Sequence, residues 1–143
     1  MNLNSFSADL TRWYLAHKRD LPWRRTKDPY KIWVSEIMLQ QTTVSTVIAY
    51  YERWVTTFAT VHDLAKAPLQ QVLKQWQGLG YYNRARNLHK AAIIVTQEYQ
   101  GVLPRDPQTI RSLPGFGSYT TGSVLSIAYD MSLPSSMPMS VGW

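Results

Sequence analysis

Leu113-Pro114-Gly115-Phe116-Gly117-Ser118-Tyr119 is the stretch on which the fold of this chain turns. Two glycines, two apart between segments of helical period, let the backbone reverse tightly. They leave bare N–H groups at the start of the following helix, where the helix dipole favours an anion. A contact of that kind reads phosphate and not base, so it positions a protein on nucleic acid without conferring sequence specificity. The competing reading, a Pro-Gly helix break with no ligand, is common.

Working outward from the hairpin, the apolar spacing is helical nearly throughout. One helix follows from about Ser118 to Tyr129, and Pro107 to Leu113 makes one or two turns before the break. Upstream, Tyr81 to Tyr99 is a long helix with Gly101 just past its end. Pro68 suits the first position of a helix through Leu69, Val72, Leu73 and Trp76, preceded by a short capped helix from Thr60 to Ala67. Val44, Val47, Ile48, Tyr51, Trp54 and Val55 mark another helix, and one more starts near Pro29 and carries Glu36. Asp20 to Pro29 reads as a loop. Phe6, Leu10, Trp13, Tyr14 and His17 recur at three and four, giving a first amphipathic helix that ends near Lys18-Arg19. No strand or internal repeat stands out, so the fold class is all-α. Residues 132–143 have neither apolar periodicity nor a cap or stop signal, and look appended.

Composition bounds the partners. The 143 residues are one domain's worth of chain, and 45% hydrophobic content supports a core. Lys plus Arg number 15 against 9 Asp plus Glu, for a net charge of +6, so a polyanion is the natural partner; a basic surface kept for solubility is the alternative. There is no cysteine, which excludes disulfides and thiolate-ligated metal within these residues. No apolar run approaches a membrane span and the first residues are not signal-like, so the expected compartment is the cytoplasm, on the nucleoid when DNA is bound.

Two further segments carry chemistry. Glu36 sits among Ile32, Trp33, Ile37, Met38 and Leu39, with Gln40 and Gln41 following. An acid in such company loses hydration, stays protonated to higher pH, and can serve as a general acid. The alternative is an exposed glutamate on a solvated stripe with Ser35. Gly78-Leu79-Gly80-Tyr81-Tyr82-Asn83-Arg84-Ala85-Arg86 combines a loop, aromatics able to enter a base stack and arginines able to neutralise phosphate. Its alternative is a helix start with core tyrosines.

Together these segments resemble the MutY-type adenine DNA glycosylases of the helix-hairpin-helix superfamily. The likeness runs from about Phe6 to Tyr129 and includes Leu21-Pro22-Trp23-Arg24, residues 29–42, residues 78–88 and the hairpin. It implies a barrel domain of six helices over 21–130, with helix-hairpin-helix at about 107–129. Residues 1–20 would be a helix of an incomplete second, iron–sulfur domain whose C-terminal half is missing. It also implies base excision repair on double-stranded DNA by a monomer, removing adenine opposite 8-oxoguanine or guanine. Glu36 matches the catalytic acid, and Tyr119, Arg19, Leu21, Trp23 and Arg24 match positions lining the adenine pocket, with Tyr119 also counted in the catalytic set. Gln41, Thr42, Leu79, Gly80, Tyr81, Arg84 and Arg86 fall on the DNA-binding side, with Gln41 filling the opened stack and Tyr81 as the wedge. Gly115 and Gly117 would cradle phosphate, with a monovalent cation at the hairpin. Endonuclease III-type relatives carry a lysine nucleophile where this chain has Tyr119 and lack the acid, so base removal without strand cleavage is the expectation.

The departure lies after Tyr129, where the family continues into an Ile-Leu-Asp-Gly-Asn-Val-like segment, then to four cysteines holding a [4Fe-4S] cluster. Neither is in this sequence. Back-translated in a shifted frame from Pro134, the tail permits Ile-Leu-Asp-Ala-Asn-Val-Gly-Arg-Val, which predicts a frameshift near Leu133-Pro134; a genuinely divergent tail is the alternative. The coding DNA checks it: an alternate frame that does not continue into a cysteine-bearing glycosylase sequence sinks the idea. A catalytically dead DNA-binding remnant and a fragment that does not fold are the other expectations for this chain.

Overall fold

Proline and capping residues divide the chain into short helices. The computed structural model describes residues 21–40 and 42–131, and within them every regular element is helical. Asp28 accepts a hydrogen bond from the Tyr30 amide at 3.0 Å and Pro29 takes the first turn, which starts α1 at Pro29–Leu39. Then come α2 (Val44–Thr57), α3 (Val61–Lys66), α4 (Leu69–Trp76), α5 (Asn83–Tyr99), α6 (Pro107–Arg111) and α7 (Ser118–Tyr129). A reciprocal box between Thr60 and Asp63 starts α3, and the Asp106 carboxylate accepts from Thr109 N at 2.9 Å to start α6.

Boundaries differ from the periodicity in small, explicable ways. The expected Asp20–Pro29 loop holds a 3-10 turn at Pro22–Arg24. Pro68 is extended and caps α4 from outside. Helix α5 begins at Asn83 because Gly80 and Tyr81 both have positive φ, +75° and +51°, which no right-handed helix accommodates. Gly101 follows the end of α5 as expected, after a left-handed Gln100.

Helix α1 lies at the centre. Ile32, Trp33, Val34, Ile37 and Met38 are all buried, as a helix that is apolar nearly all round must be. It packs on α2 on one side and α7 on another, while α5 packs across α3 and α4. Aromatic edges fill the interior: Trp54 meets Phe58 at 5.0 Å and Trp76 at 5.6 Å, both near-perpendicular. Trp54 Nε1 donates to Tyr30 Oη at 3.1 Å, and that hydroxyl donates to the Phe58 carbonyl at 2.8 Å. Burial holds the Tyr30 hydroxyl protonated well above the ordinary tyrosine range, although the hydrogen bond from Trp54 works in the other direction.

Candidate active site and nucleic-acid interface

Three ties join α1 to the hairpin and to α7. The Phe116 ring, buried between the two hairpin glycines, lies 5.2 Å from Trp33. Gln40 Nε2 donates to Thr120 Oγ1 at 2.6 Å. The Ser123 hydroxyl, buried on α7, hydrogen-bonds the Glu36 carboxylate. The chain therefore pins its turn and its acid to one pair of helices.

Glu36 is only partly exposed, and Ser35 is buried with its hydroxyl donated to the Ile32 carbonyl at 2.7 Å. A solvated Ser35–Glu36 stripe is thereby excluded. Loss of hydration raises the Glu36 pKa above its ordinary value; the Ser123 hydrogen bond and the positive Arg24 pull it back without cancelling the rise. Tyr119, 40% exposed, stands four residues before Ser123 and so shares the face of α7 that meets Glu36.

The hairpin is built as its sequence implies. Phe116 N donates to the Leu113 carbonyl at 3.1 Å, closing the turn, and Gly115 takes φ +85° with room for little more than hydrogen beside Asn87. Gly117 has ordinary φ, yet a Cβ there would meet nothing within 4 Å. Its lack of a side chain keeps open a space outside the fold. Gly117 is also the N-cap of α7, with no side-chain cap and no acid in the first turn, so the positive end of a 12-residue helix dipole lies beside that space.

The second loop, between α4 and α5, presents Tyr81 at 63% exposure beside Gly80. Tyr82 and Arg86 are exposed next to it, and Arg86 Nη1 donates to Asn83 Oδ1 at 3.2 Å. Together with Gln40 and Arg84 they line a shallow surface depression. Leu79 does not belong with them: it is buried in the core, its amide donating to the Trp76 carbonyl at 3.0 Å. Arg84 also departs from expectation. It is half-buried and turned inward, donating to the carbonyls of Ile37, Met38 and Gln40 and to those of Leu79 and Gly80, so it is not presented to phosphate. Apolar and cationic spacing alone carries no sign of that bracket.

Of the expected pocket residues, Leu21 and Trp23 are core, with Trp23 edge-on to Tyr51 at 5.4 Å, while Arg24 is exposed and close enough to act on Glu36. Thr42 is partly buried at the end of the α1 loop. Arg19 and Gln41, the first helix and the tail lie outside the described residues. No group of three or more His, Cys, Asp or Glu is gathered among the described residues, and the chain has no cysteine, so the residues present do not fit an iron–sulfur cluster. No described helix is long and apolar enough to cross a membrane.

A desolvated acid fixed against a tight helix-hairpin-helix turn defines a class: helical proteins built around that turn. The chain belongs to the HhH-GPD superfamily of base excision DNA repair proteins, which it matches over residues 34–133. It is 47% identical over 138 residues to the adenine DNA glycosylase of Rattus norvegicus, covering 90% of this chain and 27% of that protein. To the adenine DNA glycosylase of Mycolicibacterium smegmatis it is 43% identical over 128 residues, covering 89% of this chain and 44% of the relative. The chain thus spans less than half the length of these relatives. Among solved structures, a thermostable thymine-DNA glycosylase superposes with TM-score 0.73 at 33% identity, over 89% of this chain and 59% of the other. A non-covalent endonuclease III–DNA complex gives TM-score 0.69 at 24% identity, over 91% and 61%, a likeness of fold.

Proposed function

We propose that this chain carries the acid side of an adenine DNA glycosylase site acting in base excision repair. The observation that carries the proposal is Glu36, desolvated and tied through Ser123 to the helix whose N-terminus forms the hairpin. Duplex DNA would seat its phosphates on the Gly115–Gly117 turn, where a monovalent cation would also sit. Tyr81 would enter the stack beside 8-oxoguanine or guanine, and the opposing adenine would leave the stack, as chemistry on a paired base requires. Protonated Glu36 would give its proton to a ring nitrogen of the adenine. The bond from C1′ to N9 then breaks, its electron pair leaving with the neutral base. Water adds at C1′ and its proton returns to the Glu36 carboxylate. With tyrosine at 119 and no lysine there, no Schiff base forms at that position and the sugar–phosphate chain stays intact.

A second reading, a DNA-binding remnant without catalysis, is favoured by Ser136-Met137, which stand where the family resemblance places an aspartate. Single-turnover kinetics on a duplex with adenine opposite 8-oxoguanine, run beside a binding titration, separate the two. Release of adenine supports the first reading; tight binding without release supports the second; absence of both removes each.

A further inference from the structure

One guanidinium holds two loops. Arg84 Nη1 donates to the Ile37 carbonyl at 2.8 Å, to Met38 O at 3.5 Å and to Gln40 O, all at the C-terminal end of the helix that carries Glu36. Its Nη2 reaches Thr42 Oγ1 at 3.4 Å, and the carbonyls of Leu79 and Gly80 at 3.5 and 3.4 Å. The last carbonyls of a helix lack the partner one turn on, Ile37 O accepting the long Gln40 amide bond at 3.3 Å besides Arg84, and a cation there also meets the negative end of the dipole. The Arg84 guanidinium carbon lies 5.2 Å from the Trp76 ring centre and 5.6 Å from that of Tyr81. Trp76 Nε1 donates to Gly80 O at 3.0 Å, so the same carbonyl is fixed twice. What these contacts hold is a residue that needs holding: Tyr81 is a non-glycine at φ +51°, a conformation that persists only when its surroundings impose it.

We propose that Arg84 is a positioning residue: its guanidinium sets the spacing between the end of the acid helix and the Tyr81 loop, so that wedge and proton donor meet the duplex at one fixed separation. The proposal rests on the proposed glycosylase reading for its functional consequence, though not for the bracket itself. A planar fork is required, because the donors must diverge toward two segments while the face stays stacked between rings. Lysine keeps the charge and cannot do this. The Nε atom is buried, and both terminal nitrogens point to protein carbonyls, which distinguishes this role from a phosphate contact.

The test uses the whole chain and two duplexes, one with adenine opposite 8-oxoguanine and one undamaged. In Arg84→Lys the preference for the first should fall about tenfold, with affinity for undamaged duplex within about twofold and the salt dependence unchanged. Adding Tyr81→Ala should bring no further loss, since both changes remove the same placed wedge. A folded Arg84→Lys chain with the original preference overturns the proposal. So does equal weakening on both duplexes with the log–log salt slope shallower by about one, the sign of a lost phosphate contact. Hydrogen exchange of the unmodified chain in mild urea is independent of whether the variant folds or the glycosylase reading holds. The amides of Gln40, Thr42 and Thr43 should open in one event with those of residues 78–82; separate openings overturn the bracket. If the unmodified chain shows no preference between duplexes while the two loops still open together, the substrate reading fails and the bracket stands.

Discussion

The hairpin and the Tyr81 loop are both turns between helices, and both set an aromatic next to glycine, yet they bring opposite faces to the surface. At 113–117 the aromatic points inward: Phe116 is buried against Trp33, and what remains outside is bare backbone. At 78–82 the carbonyls are drawn inward by Arg84 and Trp76, and the side chain of Tyr81 is left in solvent. Backbone amides meet every duplex alike, because every duplex has the same phosphates. A protruding ring would meet the base stack, which differs at a lesion. Under the proposed reading, affinity and discrimination are divided between two turns whose amino-acid compositions look much the same.

The comparison has consequences of decreasing size. The largest concerns neither turn but the acid between them. Cleavage develops positive charge on the sugar, and glycoside-cleaving sites commonly answer it with a second carboxylate. A variant whose tail is rewritten as Ile-Leu-Asp-Ala-Asn-Val should release adenine on the order of a hundred to a thousand times faster than this chain. Glu36→Gln should remove the gain. Equal single-turnover rates for rewritten and original tails would show that the acid works without the aspartate.

Next in size are the effects on binding. Tyr81→Ala should reduce the preference for the mispaired duplex about tenfold and leave undamaged duplex nearly untouched. Gly117→Val should weaken all duplexes by a similar factor and make the salt slope shallower by about one. Titrations on both duplexes at several salt concentrations check the pair. Loss of preference from both substitutions alike breaks the division between the turns.

Smaller effects separate the two hairpin glycines from each other. Gly115→Ala forces a side chain into φ +85°, which should cost about 1–2 kcal/mol in urea unfolding. Gly117→Ala, with ordinary φ and open space, should change stability by no more than a few tenths of a kcal/mol. If both destabilise equally, Gly117 serves the fold and not an external anion.

The smallest effect is a dependence on pH. With its pKa raised in the fold, Glu36 binds its proton more tightly in the native than in the unfolded chain, so stability should be lost as pH climbs past 4.5 toward the raised value. Glu36→Gln should therefore melt at a higher temperature than the unmodified chain at neutral pH and at nearly the same temperature below pH 4.5. Melting curves at two pH values suffice, and a gap of equal size at both would show that the carboxyl is not desolvated.

How much of this was legible beforehand follows from which residues speak locally. The described helices were, because apolar spacing, Pro29, Thr60 and Pro107 are local signals; so was the hairpin, whose glycines say where backbone is exposed. Glu36 was legible as an acid in apolar company and illegible as to its exposure, since periodicity could not tell which neighbour would cover it until α7 brought Ser123 across. Leu79 and Arg84 sit in a motif of surface appearance, yet Leu79 is buried and Arg84 turns toward the end of α1; local spacing carries no sign of either.

The burial of Glu36 has one more consequence, for sequence drift. A desolvated carboxyl works against folding at neutral pH, so a chain no longer required to donate that proton gains stability from almost any neutral residue of similar size at position 36. Random substitution would then tend to erase the acid early, ahead of the apolar residues around it. Under the proposed reading, comparison of this position across closely related sequences would register a loss of the acid's role as change at position 36 while Trp33 and Met38 stay the same.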